Sequence, residues 1–187
     1  MEPKTKSQMS PEQYLEIERK AEYKSEYFNG EMFALAGAKE NHNLIVLNTG
    51  SELRSQLKGR PCKVYPGDMR VRAYETGLYT YPEVVIVCGD PSFEDKERDT
   101  LLNPVVIIEV LSESTEAYDR GRKFEHYRQI PSLQEYVLIS QDRYKIEKFT
   151  RHKEWTLSEE GELEKSIDLP SIRCSLKLAE VYDKVTF

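Results

Sequence analysis

The chain has 187 residues, which is long enough for one domain with a substantial buried core. Hydrophobic residues make up 39% of the sequence and charged residues 32%, a balance that excludes a disordered chain. The formal net charge of −6 argues against a generally basic nucleic-acid coat, although it leaves room for a local basic groove. We expect a single domain over residues 1–187, in which residues 1–9 form a flexible tail.

The three cysteines, Cys62, Cys88 and Cys174, lie far apart and include no Cys-x-x-Cys pair. Such an odd and sparse set predicts neither a disulfide framework nor a zinc site, and it is typical of a reducing cytosol. The N-terminus lacks the apolar stretch of a signal peptide, and no apolar segment approaches membrane-spanning length. We therefore expect a cytoplasmic protein without a membrane partner.

Local signals predict a helix, a hairpin and a second helix near the start of the chain. Ser10-Pro11-Glu12-Gln13 has the pattern of a capping box, which begins a helix. Asn29-Gly30 between apolar residues predicts a type I′ hairpin. A second helix is expected over residues 44–57, with His42 near its start. For His42 a hydrogen-bonding or surface role is favoured over a catalytic one.

A local excess of positive charge follows the second helix. Between Leu53 and Arg72 there are six basic residues against one acid, Asp68; the basic residues are Arg54, Lys58, Arg60, Lys63, Arg70 and Arg72. The alternation after Asp68 places Arg70 and Arg72 on one face of a strand. A solvated face is the default interpretation of this run, and a rim that contacts phosphate groups competes with it.

Two continuous apolar runs, Val84-Val85-Ile86-Val87-Cys88 and residues 104–111, predict strands that are buried on both faces. Glu83 directly precedes the first run, and Glu109 lies late in the second. A carboxylate in a buried strand is costly unless its charge is compensated. If the strands are antiparallel neighbours, both carboxylates meet at one edge of the sheet, where a bound Mg²⁺ would hold them ionised.

The charged segment after Thr115 predicts a helix that adds a cation to this edge. Asp119 and Lys123 are four residues apart and share a helix face, for which a structural ion pair is the simplest explanation. The segment folds back beside Glu109, where a lysine could orient or deprotonate an attacking water. A metal, carboxylates and a lysine together indicate a hydrolytic site for phosphodiesters. The remaining chain predicts a hairpin that turns near His152.

Motifs spread over nearly the whole chain are specific when they are taken together. They include Tyr65-Pro66-Gly67-Asp68-Met69-Arg70-Val71, Tyr79-Thr80-Tyr81-Pro82-Glu83-Val84, Glu109-Val110-Leu111-Ser112, Tyr118-Asp119-Arg120-Gly121, Lys123-Phe124 and Pro131-Ser132-Leu133-Gln134-Glu135-Tyr136. In these motifs the sequence resembles the PD-(D/E)XK nuclease superfamily and, within it, the Uma-type family of restriction endonucleases. The resemblance implies an α/β (α+β) fold with a restriction-endonuclease-like core. That core is a mixed β-sheet flanked by helices, with an extra N-terminal hairpin and extra C-terminal strands.

The resemblance also implies the site residues and the cofactor. Glu83 stands where the family has a metal-binding aspartate, and Glu109 is the second metal-binding acid. The superfamily's lysine would follow at position 111, which is Leu, so the role passes to Lys123 in the next helix. Mg²⁺ or Mn²⁺ is the implied cofactor. The secondary candidates are Asp68, Arg70, Asp119 and His42.

The leading hypothesis is a Mg²⁺-dependent endonuclease that acts on DNA, with other nucleic acids as alternative substrates. A homodimer is expected because double-strand cleavage needs two sites. A second hypothesis is a catalytically silent nucleic-acid-binding or assembly protein that keeps the nuclease fold, motivated by Glu83 in place of aspartate. A third is purely structural, with Glu109 satisfied by Lys123 as a buried pair.

Overall fold

Three sheets and a set of mostly short helices build residues 8–187, the part of the chain that the computed structural model describes. The helices are α1 (Pro11–Glu18), α2 (Glu40–Gln56), α3 (Glu116–Tyr118), a π-helical turn (Asp119–Lys123), α4 (Phe124–Tyr127) and α5 (Leu178–Val181). The strands are β1 (Ser25–Phe28), β2 (Glu31–Ala34), β3 (Cys62–Pro66), β4 (Arg70–Ala73), β5 (Leu78–Thr80), β6 (Val84–Cys88), β7 (Thr100–Leu101), β8 (Val106–Leu111), β9 (Glu135–Ser140), β10 (Ile146–Arg151), β11 (Trp155–Glu160), β12 (Ser166–Leu169) and β13 (Cys174–Lys177). The predicted α+β fold is confirmed.

The central sheet has six strands in the order β11-β10-β9-β8-β6-β3. It is mixed, because β8 and β9 run parallel whereas the other neighbours are antiparallel. The two apolar runs form its middle strands, and alternate residues enter two separate cores, which confirms that these strands are buried on both faces. Helix α2 and the C-terminal elements cover one face, while α4 and a second sheet cover the other.

The second sheet has five strands in the order β2-β1-β5-β4-β7. Its β1–β2 hairpin is the predicted one, and positive φ angles of 50° at Asn29 and 83° at Gly30 make the tight turn. Strands β5 and β7 were not predicted from the sequence. With three and two residues, these strands are too short to show an alternating pattern.

The N-terminal predictions have mixed outcomes. The capping box is confirmed, because Ser10 Oγ accepts from the Gln13 backbone and Gln13 Oε1 accepts from the Ser10 backbone. Helix α2 begins four residues earlier than predicted, at Glu40. Of the predicted tail, residues 1–7 lie outside the described residues, whereas the Met9 backbone N–H donates to the Gly30 carbonyl at 3.3 Å.

The expectation that the cysteines form no disulfide is wrong. Cys62 and Cys88 are direct partners in the antiparallel β3–β6 ladder, and their sulfur atoms are bonded. The pairing depends on the register of two strands, which cysteine spacing alone does not reveal. Cys174 is a buried free thiol. Among residues 8–187, no helix is long and apolar enough to cross a membrane. The cytoplasmic location stays a prediction.

Candidate active site

The register of β6 and β8 brings the two strand acids to the same place. Val84 pairs with Ile108, so the next pair along this antiparallel ladder is Glu83 with Glu109. Residues directly opposite each other share a face of the sheet, with their Cβ atoms about 5 Å apart. That face is the one that carries Ile107 and packs against α4. The two acids therefore meet at one edge of the sheet, as the sequence predicted.

The π-helical turn places Lys123 against this face. Its Nζ lies 3.0 Å from Glu109 Oε1 and 3.1 Å from Glu26 Oε1. A third carboxylate oxygen, Asp119 Oδ1, is 3.4 Å away. All four side chains are buried. One ammonium group is thus surrounded by three carboxylates, and we call Glu26, Glu109, Asp119 and Lys123 the lysine cluster. Single π-helical turns within α-helices are frequent at functional sites.

Two hydroxyl groups hold the carboxylates of the lysine cluster in position. The Tyr127 hydroxyl donates to Glu109 Oε1 at 2.8 Å. The Thr80 hydroxyl donates to Glu26 Oε1 and lies 3.4 Å from the Tyr127 hydroxyl. Tyr127 and Thr80 are themselves fully buried. Because Glu26 Oε1 and Glu109 Oε1 each accept a hydrogen bond from a buried hydroxyl, these two carboxylates are held in place by the fold itself.

Burial and charge shift the pKa values of the cluster in opposite directions. Burial raises the pKa of Glu109 to about 8, although the positive charge of Lys123 works against this. Burial also raises the pKa of the Asp119 carboxyl. For Lys123, burial lowers the pKa, but the carboxylates of Glu109, Glu26 and Asp119 outweigh it and hold the pKa well above its ordinary value. Lys123 therefore keeps its proton, and its positive charge, at neutral pH.

Glu83 is the open side of the site, because 31% of its side chain is exposed. Its Oε1 lies 2.9 Å from His42 Nε2, without the alignment of a hydrogen bond. The backbone of Gly67 lies close to the other carboxylate oxygen of Glu83. A Cβ atom at position 67 would be only 3.3 Å from Glu83 Oε2. Contact with Glu83 places His42, a secondary candidate, in the site itself.

Of the other secondary candidates, only Asp119 lies at the site. Asp119 belongs to the lysine cluster, whereas Asp68 is exposed and pairs with Lys24 at 3.0 Å. Arg70 is buried on the far face of the second sheet, where its guanidinium contacts Thr100, Tyr81 and Asp99. The predicted phosphate-contacting rim is therefore wrong for Arg70. It is also wrong for Arg72, which pairs with Glu94. The alternation was predicted correctly, but α1 and an acidic loop cover that face.

Glu26 is the functional candidate that sequence reasoning missed. It occupies a short hairpin strand, where an acid is most simply interpreted as solvent-facing, yet it is buried against Lys123. Its place follows from the pairing of β1 with β5, which sets it opposite Thr80 when the Tyr27–Tyr79 register is continued by one residue. The only local signal was an acid directly before two aromatic residues, Tyr27 and Phe28, in a short strand.

The donor set fits a magnesium site that uses few protein ligands. Within residues 8–187 no group of three or more His, Cys, Asp or Glu side chains is arranged as a metal cage. Mg²⁺ is typically held by one or two carboxylates and completes its shell with waters and substrate phosphates. Glu83 and Glu109 meet that requirement. The surplus of negative charge around Lys123 also favours a cation beside them.

Comparison with known proteins identifies relatives of this chain and of its fold. The structure is similar to one described as a putative nuclease belonging to DUF820, from Anabaena variabilis ATCC 29413, with a TM-score of 0.76 and 17% identity. That likeness covers 94% of this chain and 98% of the other, and it concerns the fold. Two relatives in Synechocystis sp. (strain ATCC 27184 / PCC 6803 / Kazusa) bear the names uncharacterized protein sll1609 and uncharacterized protein slr1290.

The first relative is 38% identical over 149 residues, which cover 79% of this chain and 84% of its own. The second is 33% identical over 181 residues, which cover 96% of this chain and 94% of its own. Residues 11–179 match the Uma2 family, whose description is "Putative restriction endonuclease". From the motifs, the fold and these matches, the chain belongs to the Uma2 family.

Proposed function

We propose that this protein is an endonuclease that hydrolyses DNA phosphodiester bonds with the help of Mg²⁺ or Mn²⁺. The observation that carries the proposal is the buried contact of Lys123 with Glu109, at the strand edge where Glu109 lies opposite Glu83. Carboxylates for a divalent cation and a fixed ammonium group for a phosphate are the components of metal-assisted phosphodiester hydrolysis. Membership of the Uma2 family supports this reaction class.

Glu83 and Glu109 would hold the metal ion. When bound, Mg²⁺ or Mn²⁺ would supply Lewis-acid stabilisation of the charge on the scissile phosphate. Glu83 is the partly exposed one of the two acids, so it would meet substrate first, while His42 contacts its Oε1 and would limit its movement. Glu109 is held by the Tyr127 hydroxyl and by Lys123, so its position is set before substrate arrives.

Lys123 would act as a fixed cation. Its raised pKa makes it a poor base at neutral pH, so we favour orientation of the water and stabilisation of charge on the phosphate over deprotonation of water. Its ammonium group would donate to a phosphate oxygen or to the attacking water. Glu26 and Asp119 hold the ammonium group in place and keep it charged, which makes them positioning residues.

The partners follow from the reaction. We propose duplex DNA as the substrate and a homodimer as the working form, because cutting both strands needs two sites. Sedimentation of the protein alone and with a duplex oligonucleotide would test the oligomeric state. A monomer under both conditions would contradict the homodimer and leave the proposed chemistry in place.

The test of the function is cleavage of supercoiled and linear DNA with Mg²⁺ or Mn²⁺. Glu109→Ala and Lys123→Ala should abolish cleavage, whereas Lys165→Ala, in an exposed ion pair with Glu162, should cleave like the wild type. The four proteins should be purified in parallel, and circular dichroism should show that each is folded. Equal cleavage by all four would identify a contaminating nuclease and overturn the assignment.

The second candidate is a catalytically silent nucleic-acid-binding protein. The observation that favours it is the full occupation of the lysine cluster by its own ion pairs, together with Glu83 in place of aspartate. Calorimetry separates the two functions. DNA binding that is unchanged in Glu109→Ala, with no Mn²⁺ binding to the wild type, would favour the silent protein.

A further inference from the structure

An exposed aromatic side chain lies in the same row of the second sheet as a member of the lysine cluster. Phe33 on β2 is the direct partner of Glu26 on β1. Continuing the register, Glu26 lies opposite Thr80, which in turn pairs with Val71. Side chains in such a row share one face of the sheet. The contact of Glu26 with Lys123 shows that this face points towards the candidate active site.

Phe33 differs from its row in exposure. Glu26, Thr80 and Val71 are buried, whereas 49% of Phe33 is exposed at the edge of the sheet. Leu35, two residues further along the same strand direction, is also exposed. Strand β2 is an edge strand, so no further strand of the described chain covers these side chains. A large apolar group is therefore presented to solvent about one strand spacing from the lysine cluster.

A cation lies at the start of the same hairpin. Lys24 precedes β1 by one residue. Its Nζ contacts the Gly67 carbonyl at 2.9 Å and Asp68 at 3.0 Å. Gly67 is the residue whose backbone lies close to the Glu83 carboxylate. The hairpin thus carries an exposed aromatic ring in register with Glu26 and a half-exposed ammonium group that contacts Gly67, next to Glu83, and the two groups suit a base and a phosphate.

We infer that Phe33 stacks on a nucleobase next to the scissile phosphate and so favours strands whose bases are unpaired or easily unstacked. The inference rests on the proposed nuclease function and names the substrate feature that this site recognises. Every base has a flat apolar face, so an aromatic platform binds single strands without reading their sequence. A fully stacked duplex cannot present that face, and local opening of the duplex is then part of binding.

The experiment compares wild type, Phe33→Ala, Phe33→Trp and the control Leu157→Ala. Leu157 is similarly exposed but lies on β11, the far edge of the other sheet. Binding is measured with Ca²⁺ in place of Mg²⁺, using single-stranded and duplex oligonucleotides that carry 2-aminopurine beside the cleaved bond. Cleavage with Mg²⁺ follows on the same substrates. The fluorescence of 2-aminopurine reports stacking directly.

Phe33→Ala should weaken single-strand binding roughly 5- to 150-fold, because stacking on an aromatic ring is worth about 1–3 kcal/mol per base. It should raise KM more than it lowers kcat and should remove the fluorescence change. Phe33→Trp should retain all three properties, and Leu157→Ala should match wild type. If Phe33→Ala binds single strands, cleaves them and changes 2-aminopurine fluorescence as the wild type does, this inference is overturned, whereas the proposed nuclease function stands.

Two further outcomes would also overturn it. If Phe33→Ala turns a dimer into a monomer without changing the affinity of single strands, the ring packs against a second copy of the chain. If wild type neither binds nor cleaves any oligonucleotide, the proposed function fails first, and the inference fails with it.

Discussion

Two buried lysine–glutamate pairs lie on opposite faces of the central sheet, and their glutamates belong to the neighbouring parallel strands β8 and β9. Glu109, near the end of β8, contacts Lys123 at 3.0 Å. Glu135, at the start of β9, lies 3.5 Å from Lys148, and its other oxygen accepts from both the backbone and the hydroxyl of Ser171. Lys148 also donates to the Asp168 carbonyl. Both pairs come from the same residue types in equally buried places.

The difference between the pairs is their charge balance. Lys148 contacts one carboxylate and one backbone carbonyl. The carboxylate balances the charge of its ammonium group, and the carbonyl accepts a hydrogen bond from it. Lys123 meets three carboxylates, with Glu83 opposite Glu109 across the ladder, so negative charge is in excess. A balanced pair stabilises a fold, whereas under the proposed function an excess of carboxylates would favour a bound cation. Burial of a lysine–glutamate pair is therefore not enough to identify an active site.

The largest expected effect concerns stability. Glu135→Gln should lower the free energy of unfolding by about 3–5 kcal/mol, because it leaves Lys148 buried without its counter-charge. Glu109→Gln should cost far less at pH 8, since the substitution relieves repulsion among carboxylates. Urea unfolding of both variants at pH 8 in EDTA measures the contrast. A larger loss for Glu109→Gln than for Glu135→Gln would contradict it.

The next effect concerns activity. Lys123→Arg should reduce kcat roughly 100- to 1000-fold, because a planar guanidinium cannot replace a point charge held by three carboxylates. Lys148→Arg is the matched control, with the same substitution in the balanced pair, and it should cleave DNA at the wild-type rate. Plasmid nicking under identical conditions compares them. Equal losses in the two variants would mean that the effect comes from folding.

A smaller effect, per unit of pH, follows from the pKa of Glu109. Burial raises this pKa from 4.5 to about 8, so the folded protein keeps a proton that the unfolded chain loses. The contribution of Glu109 to stability is complete below pH 4.5 and is lost as the pH rises towards 8. Relative to Glu109→Gln, metal-free wild type should lose up to about 1.4 kcal/mol per pH unit in this window. Urea unfolding in EDTA at half-unit intervals measures the slope. A pH-independent difference between the two proteins would refute it.

The smallest effect belongs to Tyr127. Tyr127→Phe removes one hydrogen bond to Glu109 and should lower the free energy of unfolding by about 1 kcal/mol. It should reduce cleavage only a few-fold, because Lys123 still holds Glu109. Thermal unfolding and nicking rates check the two parts. A loss of cleavage as large as that of Lys123→Arg would make Tyr127 a catalytic residue.

Much of the fold was predictable from the sequence, because the signals are local. The Asn29-Gly30 turn, the capping box at Ser10 and the two apolar strands each depend on a few neighbouring residues. The antiparallel pairing of those strands was a conditional prediction, and it is confirmed. Glu109 was identifiable because a carboxylate in a buried strand conflicts with its surroundings.

The rest depends on contacts between residues far apart in the sequence. Glu26 joins the site only because β1 pairs with β5, and β5 is too short to be predicted. The Cys62–Cys88 disulfide needs the β3–β6 register. Arg70 looked like a surface cation because its partner Asp99 lies in a segment without a recognisable pattern. Each error arose where a long-range register decides which way a side chain faces.

The central claim is that Glu83 and Glu109, beside the lysine cluster, hold a divalent cation. The pair of Glu135 and Lys148 should hold none. Anomalous diffraction from crystals soaked in Mn²⁺ tests it most directly. We expect one strong peak between the carboxylates of Glu83 and Glu109, and no peak at Glu135. Absence of that peak at saturating Mn²⁺, or a peak that survives in Glu109→Ala, would contradict the proposed metal site.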